Sequence, residues 1–372
     1  MRPLLGEEEA SAAAEAVRSG WVAQGPRVAS FEEAFAVRVG ASHGVAVSSC
    51  TTALHLAVHL LDIGPGDEVV VPSLSFIATA NAVRYTGATP VFADVDATGN
   101  LTAATVERVL TARTRAVMVV HQAGVPADVA ELRALCEPRG IPVIEDAACA
   151  AGSTYRGAPV GSGALMAAWS FHPRKLLTTG EGGMLTTDDP EWTVRAKRLR
   201  EHGMSVSAAD RHSGGSAVVE QYLETAFNYR MTDIQAAVGL VQLSKLDLIV
   251  ARRRELAARY HELLPDVTTV RDPAHGTTNY QSFWVWLPEG APDRTDVLAG
   301  LAARGVSARR GIMASHLEPA YAGHPHGPLP MTEAFTQRTL ILPLFHDMTN
   351  AEQEQVASSL NEVLAGVGVT SP

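Results

Sequence analysis

Three short stretches of the chain combine residue types that could do chemistry. In Ser48-Ser49-Cys50-Thr51-Thr52, small hydroxyl residues stand between a β-branched run and an apolar helical pattern carrying Leu54, Val58 and Leu61. A helix starting there offers unpaired backbone N–H groups and hydroxyls, which is how a phosphate is gripped. An ordinary Ser/Thr N-cap has the same composition. In Val143-Ile144-Glu145-Asp146-Ala147-Ala148, two carboxylates end an otherwise apolar strand pattern. A partly desolvated acid there needs a cationic partner, which a protonated heterocycle nitrogen, a metal ion or a structural arginine would supply. No His-x-x-x-His or Glu-x-x-His spacing accompanies these carboxylates, so no metal site is expected. In Ser170-Phe171-His172-Pro173-Arg174-Lys175, a lysine follows a strand pattern and is hemmed in by Pro173 and by the Gly-rich turn Gly180-Glu181-Gly182-Gly183. A lysine in a partly desolvated site, its pKa lowered, is a nucleophile toward carbonyl carbon, although surface lysines in loops are commoner. The glycines follow the lysine instead of preceding it, so a Walker-type phosphate loop does not fit.

Taken together, a phosphate-gripping helix start, a strand-end aspartate and a loop lysine match what pyridoxal 5'-phosphate requires. That cofactor needs an anion hole, an acid that keeps its pyridine nitrogen protonated so that the ring acts as an electron sink, and an amine for its aldehyde.

The elements that would position these residues are legible between about residues 45 and 190. Strand patterns at Gly44–Ser48, Glu68–Pro72, Pro90–Val95, Ala116–His121, Ile141–Asp146, Ala167–Phe171 and Gly183–Thr187 alternate with helical patterns. One of these is Ala127–Arg139, which starts after Pro126 and stops at Gly140. Such alternation predicts βαβ units around a buried, mostly parallel sheet, with ligands at the carboxyl ends of the strands. Farther on, Glu191–His202 reads as a charged helix and Ser205–Ser216 as a polar loop. A long helix is predicted from Thr232 towards Leu264, with Arg252-Arg253-Arg254 on its solvated face. A strand at Gln281–Leu287, a helix at Thr295–Arg304, a strand at Thr339–Pro343 and a capping box at Thr349–Glu352 then outline a smaller α/β unit. The expected division is a large cofactor domain with an N-terminal arm over residues 1–250 and a small C-terminal domain over 251–372.

Composition excludes several classes. The 372 residues hold about two to three domains' worth of chain. With 30 Lys+Arg against 40 Asp+Glu, the net charge of −10 argues against nucleic acid as a partner. Cys50, Cys136 and Cys149 form no C-x-x-C spacing and are odd in number, so neither a disulfide framework nor a zinc knuckle is encoded. No run reaches the ~18–20 apolar residues of a membrane span, and the N-terminal stretch has no apolar h-region. A cytoplasmic protein without membrane contact is expected.

The stretches Gly64–Ala82, Thr86–Val95, Glu145–Ala148, Ser170–Gly183 and Asn228–Ala237 resemble the DegT/StrS family. These are fold-type I pyridoxal-phosphate aminotransferases, best known for aminating keto sugars attached to nucleotides. The resemblance runs from Gly20-Trp21 to the last strand. It implies that Lys175 bonds the cofactor aldehyde and shuttles the proton, that Asp146 pairs with the pyridine nitrogen, and that Phe76 lies against the ring face. It also implies that Thr51, Thr52 and Ser170 hold the phosphate, that Ala148 and Cys149 line the cofactor, and that Asn228 reaches the phosphate of a neighbouring subunit. A homodimer with shared active sites follows. Candidate substrate contacts are His172, the Ser205–Ser216 loop, Arg309, Arg310 and His316.

Three positions depart from the family pattern. Cys50 replaces the usual glycine of the phosphate turn. Cys149 stands where Gln or His commonly flanks the cofactor's phenolic oxygen. His121-Gln122-Ala123-Gly124 replaces a frequent His-Leu-Tyr-Gly, which removes an aromatic hydroxyl from near the site. Lys175 argues against the related sugar dehydratases, which carry histidine there. The expected reaction is transfer of an amino group from glutamate or glutamine to a nucleotide-linked keto sugar of a biosynthetic pathway, in secondary metabolism. A cyclitol or another small ketone is the alternative acceptor. A non-catalytic cofactor-binding regulator would have no physical need for the Lys175, Asp146 and Asn228 set.

Overall fold

The computed structural model describes residues 3–206 and 219–366. The β-branched runs form a seven-stranded sheet: β1 (His43–Val47), β2 (Glu68–Pro72), β3 (Thr89–Ala93), β4 (Thr114–Val120), β5 (Val143–Asp146), β6 (Met166–Ser170) and β7 (Gly183–Thr187). Their spatial order is β1-β7-β6-β5-β4-β2-β3. Strands β3, β2, β4, β5 and β6 pair in parallel, whereas β7 runs antiparallel to both β1 and β6. All residues of β2, β5 and β7 are buried, as a sheet covered by helices on both faces requires.

The antiparallel β7 matters for the site. Chain leaving β6 folds straight back into β7, with Ser170 paired to Gly183, so the Lys175 segment is a looped connection at the carboxyl end of β6. Next to it in the sheet lies the carboxyl end of β5, which ends in Asp146.

Helices Glu7–Arg18 and Pro26–Val39 pack on helix Asp233–Ser244. Asp233 is completely buried at the start of that helix and accepts hydrogen bonds from the backbone N–H groups of Gly25 (2.8 Å), Val28 (2.9 Å) and Arg27 (3.1 Å). The N-terminal segment is thereby tied to the large sheet's outer layer.

The smaller sheet centres on β8 (Phe283–Trp286) and β9 (Thr339–Leu342), flanked by the short strands Thr268–Thr269 and Arg309–Arg310. Helices Arg294–Ala303 and Asn350–Leu364 pack against one another beside it, the second opening with the Thr349/Glu352 capping box. One apolar cluster runs from Val70 and Val117 of the large sheet through Leu256 and Tyr260 to Phe283 and Leu342 of the small one.

Two expectations require correction. The predicted long helix is two, Asp233–Ser244 and Leu246–Leu263, bent by 54°. Lys245 sits at the break, where its amine pairs with Glu8 (2.6 Å) and Glu9 (2.7 Å) of the first helix. Nor does Arg252-Arg253-Arg254 form a solvated face. Arg253 is buried and donates to the carbonyls of Tyr280 (2.7 Å), Gln281 (2.9 Å) and Leu344 (3.2 Å). Arg252 donates to His346 and Met348 carbonyls and Arg254 pairs with Asp272, so the cluster fastens three loops to the helix. Helix Val129–Cys136 is shorter than expected and passes into a 3-10 turn at Glu137–Arg139 before Gly140, whose φ of 68° ends it. The helix predicted over Glu191–His202 spans Pro190–Leu199. Residues 207–216 of the predicted polar loop lie outside the described residues.

Candidate active site

The period-two alternation of a strand separates the two carboxylates at the end of β5. Glu145 is buried, accepting a hydrogen bond from His121 Nε2 (3.1 Å) and pairing with Arg133 Nη2 (2.7 Å). Asp146, also buried, is left to hydroxyl and amide donors: Thr79 Oγ1 donates to its Oδ2 at 2.9 Å and the Ala148 N–H to its Oδ1 at 3.1 Å. Ser75 Oγ lies 2.7 Å from Thr79 Oγ1 and extends this chain of hydroxyls. Burial pushes the Asp146 carboxyl above the usual range, against the opposing pull of Thr79, Ala148, Lys175 and His121.

Lys175 closes the turn after β6, its N–H donating to His172 O at 2.8 Å. Its Nζ donates to Cys149 Sγ at 3.0 Å. Burial disfavours the ammonium, but Cys149, Cys50 and Asp146 together outweigh it and hold the amine above the ordinary lysine value. The lowered pKa expected from the sequence is therefore corrected: Cys50, at the start of the helix after β1, and Asp146 with Cys149, at the end of β5, act on Nζ from two other segments and shift it upward. The Cys50 thiol is pushed far up, first by burial and then by Asp146.

The helix Cys50–Leu60 begins as both readings of its first turn require. Ser49 caps it, accepting from the Thr52 N–H at 3.2 Å, while Thr52 Oγ1 donates to Ser49 O at 2.7 Å and accepts from the Ser49 N–H at 3.1 Å. Thr52 is thus committed to the cap. The N–H groups of Cys50 and Thr51 and the Thr51 hydroxyl have no partner among the described residues, and they are the groups open to an anion. Strand β7 passes hard against this turn: a Cβ on Gly183 would stand 2.4 Å from Ser49 C and 2.6 Å from Cys50 N.

The other sequence-derived candidates divide. Ser170, the last residue of β6, sits beside the lysine loop with its Oγ 3.5 Å from the His172 N–H. Phe76 is 67% exposed, so it is no core phenylalanine, and its carbonyl accepts from the N–H of Thr79, the residue that holds Asp146. Asn228 is exposed, and its side-chain amide has no partner among the described residues. Its segment lies beside the phosphate turn, where the Ser48 N–H donates to Tyr229 O at 2.8 Å. His172 is engaged locally, accepting from the Arg174 N–H at 3.1 Å and standing 3.9 Å from Glu181. Arg309 is half-buried, whereas Arg310 points to Glu318 at 3.4 Å. His316 is buried, its Nδ1 2.6 Å from Ser73 Oγ and its Nε2 3.6 Å from Glu333.

Sequence reasoning left two supporting residues unassigned. Thr79 lies in the resembling Gly64–Ala82 stretch without a role, and Asn279 lies in no motif. Asn279 is buried and its amide donates to the carbonyls of Cys149 and Ala151, both at 2.8 Å. It thereby fixes the segment that carries Cys149. Gly124 makes room for it, because a Cβ there would fall 1.9 Å from Asn279 Oδ1.

A model of the DegT/DnrJ/EryC1/StrS aminotransferase family matches residues 3–361. The chain belongs to this family. Among solved structures, the aminotransferase TlmJ from Streptoalloteichus hindustanus is 38% identical with a TM-score of 0.90, covering 98% of each chain. The pyridoxamine-phosphate form of a sugar aminotransferase described as putative, Spr1654 from Streptococcus pneumoniae, is 26% identical with a TM-score of 0.93, again over 98% of each chain. DesI, solved in the presence of its TDP-sugar product, is 33% identical with a TM-score of 0.88, covering 98% of this chain and 93% of that one.

The chain is a pyridoxal-phosphate-dependent aminotransferase of fold type I. Its residues fit the cofactor on their own terms. The buried, upward-shifted Asp146 gains from a protonated ring nitrogen, the first turn of the Cys50–Leu60 helix presents unpaired donors to a phosphate, and Lys175 brings an amine between them.

Proposed function

We propose that this aminotransferase moves an amino group from glutamate or glutamine to a nucleotide-linked keto sugar in a biosynthetic pathway of secondary metabolism. It works in the cytoplasm as a homodimer, with residues 1–250 as the cofactor-binding part and 251–372 as the smaller part. Among the described residues, no single helix is long and apolar enough to cross a membrane.

The observation that carries the reading is the convergence of Lys175, Asp146 and the free first turn at Cys50-Thr51 in a fold close to those of a named sugar aminotransferase and of DesI. When bound, pyridoxal phosphate supplies the electron sink and carries the amino group between two half-reactions. The protein's own groups do the rest. Asp146, held by Thr79 and Ala148, keeps the ring nitrogen protonated. The Cys50 and Thr51 N–H groups, with Thr51 Oγ1 and Ser170, grip the phosphate in a turn that Thr52 holds in shape, and Phe76 covers the ring face. Lys175 Nζ removes the proton from the donor's α-carbon and delivers it again in the reverse half-reaction. A positioned base of this kind is worth roughly 10²–10⁴-fold in rate. Asn228, exposed and unspent in its own chain, serves the site of the second subunit.

The acceptor class is tested by converting the protein to its pyridoxamine form and offering nucleotide-linked keto sugars, cyclitol ketones and small ketones. Return of the absorbance of the lysine-bound cofactor with a nucleotide-linked sugar is expected. Return only with a cyclitol or a small ketone would move the assignment to that class.

A further inference from the structure

Lys175 Nζ and Cys149 Sγ meet at 3.0 Å, reaching this position from separate segments. Both residues are partly exposed, in a site that must admit an amino acid and a ketone, so a molecule as small as hydrogen peroxide reaches them too. One short stretch holds both partners in place. The Asn279 amide donates to the Cys149 carbonyl at 2.8 Å, and the Gln281 amide donates to the carbonyl of Arg174, next to Lys175, at 2.6 Å. The Gln281 N–H donates to Asn279 Oδ1 at 2.8 Å, and both residues are buried. Two reactive groups fixed in this way act on one another as if at high concentration.

The other cysteines are placed differently. Cys136 is fully buried in the apolar cluster that joins the two sheets. Cys50 lies in the phosphate turn, where burial and then Asp146 keep the proton on its sulfur, and a thiol so held is a poor nucleophile. Cys149 alone among the three accepts a hydrogen bond from an amine among the described residues, and transamination makes no use of its sulfur.

We propose that, on exposure to a hydroperoxide, Cys149 and Lys175 form a reversible sulfur–nitrogen cross-link that takes the lysine out of service whenever it is not bonded to the cofactor. The loss of activity rests on the aminotransferase reading above, whereas the bond itself needs only the two side chains. Cys149 Sγ attacks one peroxide oxygen, the O–O bond breaks, and the thiol proton leaves with the departing hydroxide as water, giving a sulfenic acid. Sulfur loses two electrons and the peroxide gains them. The unprotonated Lys175 amine then attacks Sγ, the S–O bond breaks, and the hydroxide leaves with an amine proton as a second water. One thiol, one amine and one peroxide thus give one sulfenamide and two waters. Condensation of a sulfenic acid with nitrogen is established chemistry. Excess dithiothreitol reverses it: a first thiolate attacks the sulfur and releases the amine, and a second thiol reduces the resulting disulfide.

The test loads the protein with pyridoxamine phosphate or with pyridoxal phosphate, treats both forms with hydrogen peroxide, alkylates the free thiols after unfolding and maps the peptides by mass. In the pyridoxamine form the wild type should become lighter by two hydrogens, yield a linked peptide pair carrying Cys149 and Lys175, and leave Cys136 open to alkylation. The lysine-bound form should give roughly 10-fold less of that pair, because the amine is engaged. Dithiothreitol should remove the link and restore the donor half-reaction. Cys149→Ser, shown to be folded by its melting curve, should give no linked pair, and Cys50→Ser should give the same pair as the wild type. Oxidation of Cys149 with Lys175 left unlinked overturns the proposal. So does a link from Cys149 to Cys50, which changes the mass equally but vanishes in Cys50→Ser. A Cys149–Lys175 link in a protein whose untreated form converts no amino acid would leave the cross-link standing and overturn the aminotransferase reading.

Discussion

Asp146 and Glu145 are adjacent carboxylates with opposite employment. His121 and Arg133 consume Glu145, and only hydroxyl and amide donors face Asp146. Asp146→Asn keeps the shape and removes the charge, so turnover should fall by about 10²-fold or more, with an altered cofactor spectrum recorded alongside kcat. Thr79→Val removes a donor from a buried carboxylate, a change worth about 1–3 kcal/mol. Burial already raises the Asp146 carboxyl above its ordinary value of 3.8, so the folded cofactor-free protein binds this proton more tightly than the unfolded chain does. That contribution to stability is full below the ordinary value and fades as pH rises through the raised one. Thr79→Val should steepen the fade, which melting curves of the cofactor-free protein between pH 4 and 7 would show; identical pH profiles for the two proteins would refute it. At this scale Lys175 and Asp146 stand out only jointly, together with the hydroxyl-rich helix start at Ser48–Thr52, because a loop lysine or a strand-end carboxylate alone is as readily structural. The Lys175 environment was not legible, since Cys50 acts on it from one distant segment and Asp146 with Cys149 from another. Arg253 was misread because a run of three arginines carries no sign of which one turns inward.

At the scale of elements, the phosphate turn depends on β7 passing close to it. Gly183→Ala would drive a methyl group into the Ser49–Cys50 peptide, so a cofactor affinity at least about 10-fold weaker and a lower Tm are expected. The same helix carries His55, whose Nδ1 lies 3.0 Å from Tyr229 Oη and whose ring packs 4.8 Å from that of Phe227. Burial, then His59, lowers its pKa from 6.5 to about 4. A group whose folded pKa is depressed gives stability that is present above 6.5 and lost as pH falls towards 4. Between pH 7.5 and 5 the wild type should therefore lose more Tm than His55→Gln does, and equal losses would show that this ring does not titrate on unfolding. The strands and the β6–β7 loop were readable because β-branched runs and glycines mark them strongly. The break at Lys245 was not, because the residues around it keep a continuous helical pattern and the partners of Lys245 there, Glu8 and Glu9, lie far away in the chain.

For the whole molecule, the sheet order brings β5 and β6 side by side, so residues from the turn after β1, from the loop after β2 and from both strand ends meet at one edge. The sequence foretold this convergence through the order of its motifs, while the union of the two sheets in one apolar cluster depends on long-range packing that no local pattern records. Asn228 extends the argument beyond one chain. Lys175→Ala and Asn228→Ala subunits, each inactive alone, should regain roughly a quarter of wild-type activity when mixed under exchange, since half the dimers are hybrids with one intact site. No recovery despite demonstrated subunit exchange would confine each site to a single chain.

The central claim, that Lys175 holds the cofactor and moves the proton in transamination, is tested most directly by the donor half-reaction followed in the cofactor's absorbance. Wild-type holoprotein mixed with L-glutamate should lose the lysine-bound cofactor band and release a stoichiometric keto acid. Lys175→Ala should show neither that band nor the release. Multiple turnovers by Lys175→Ala, with the cofactor still covalently attached, would contradict it.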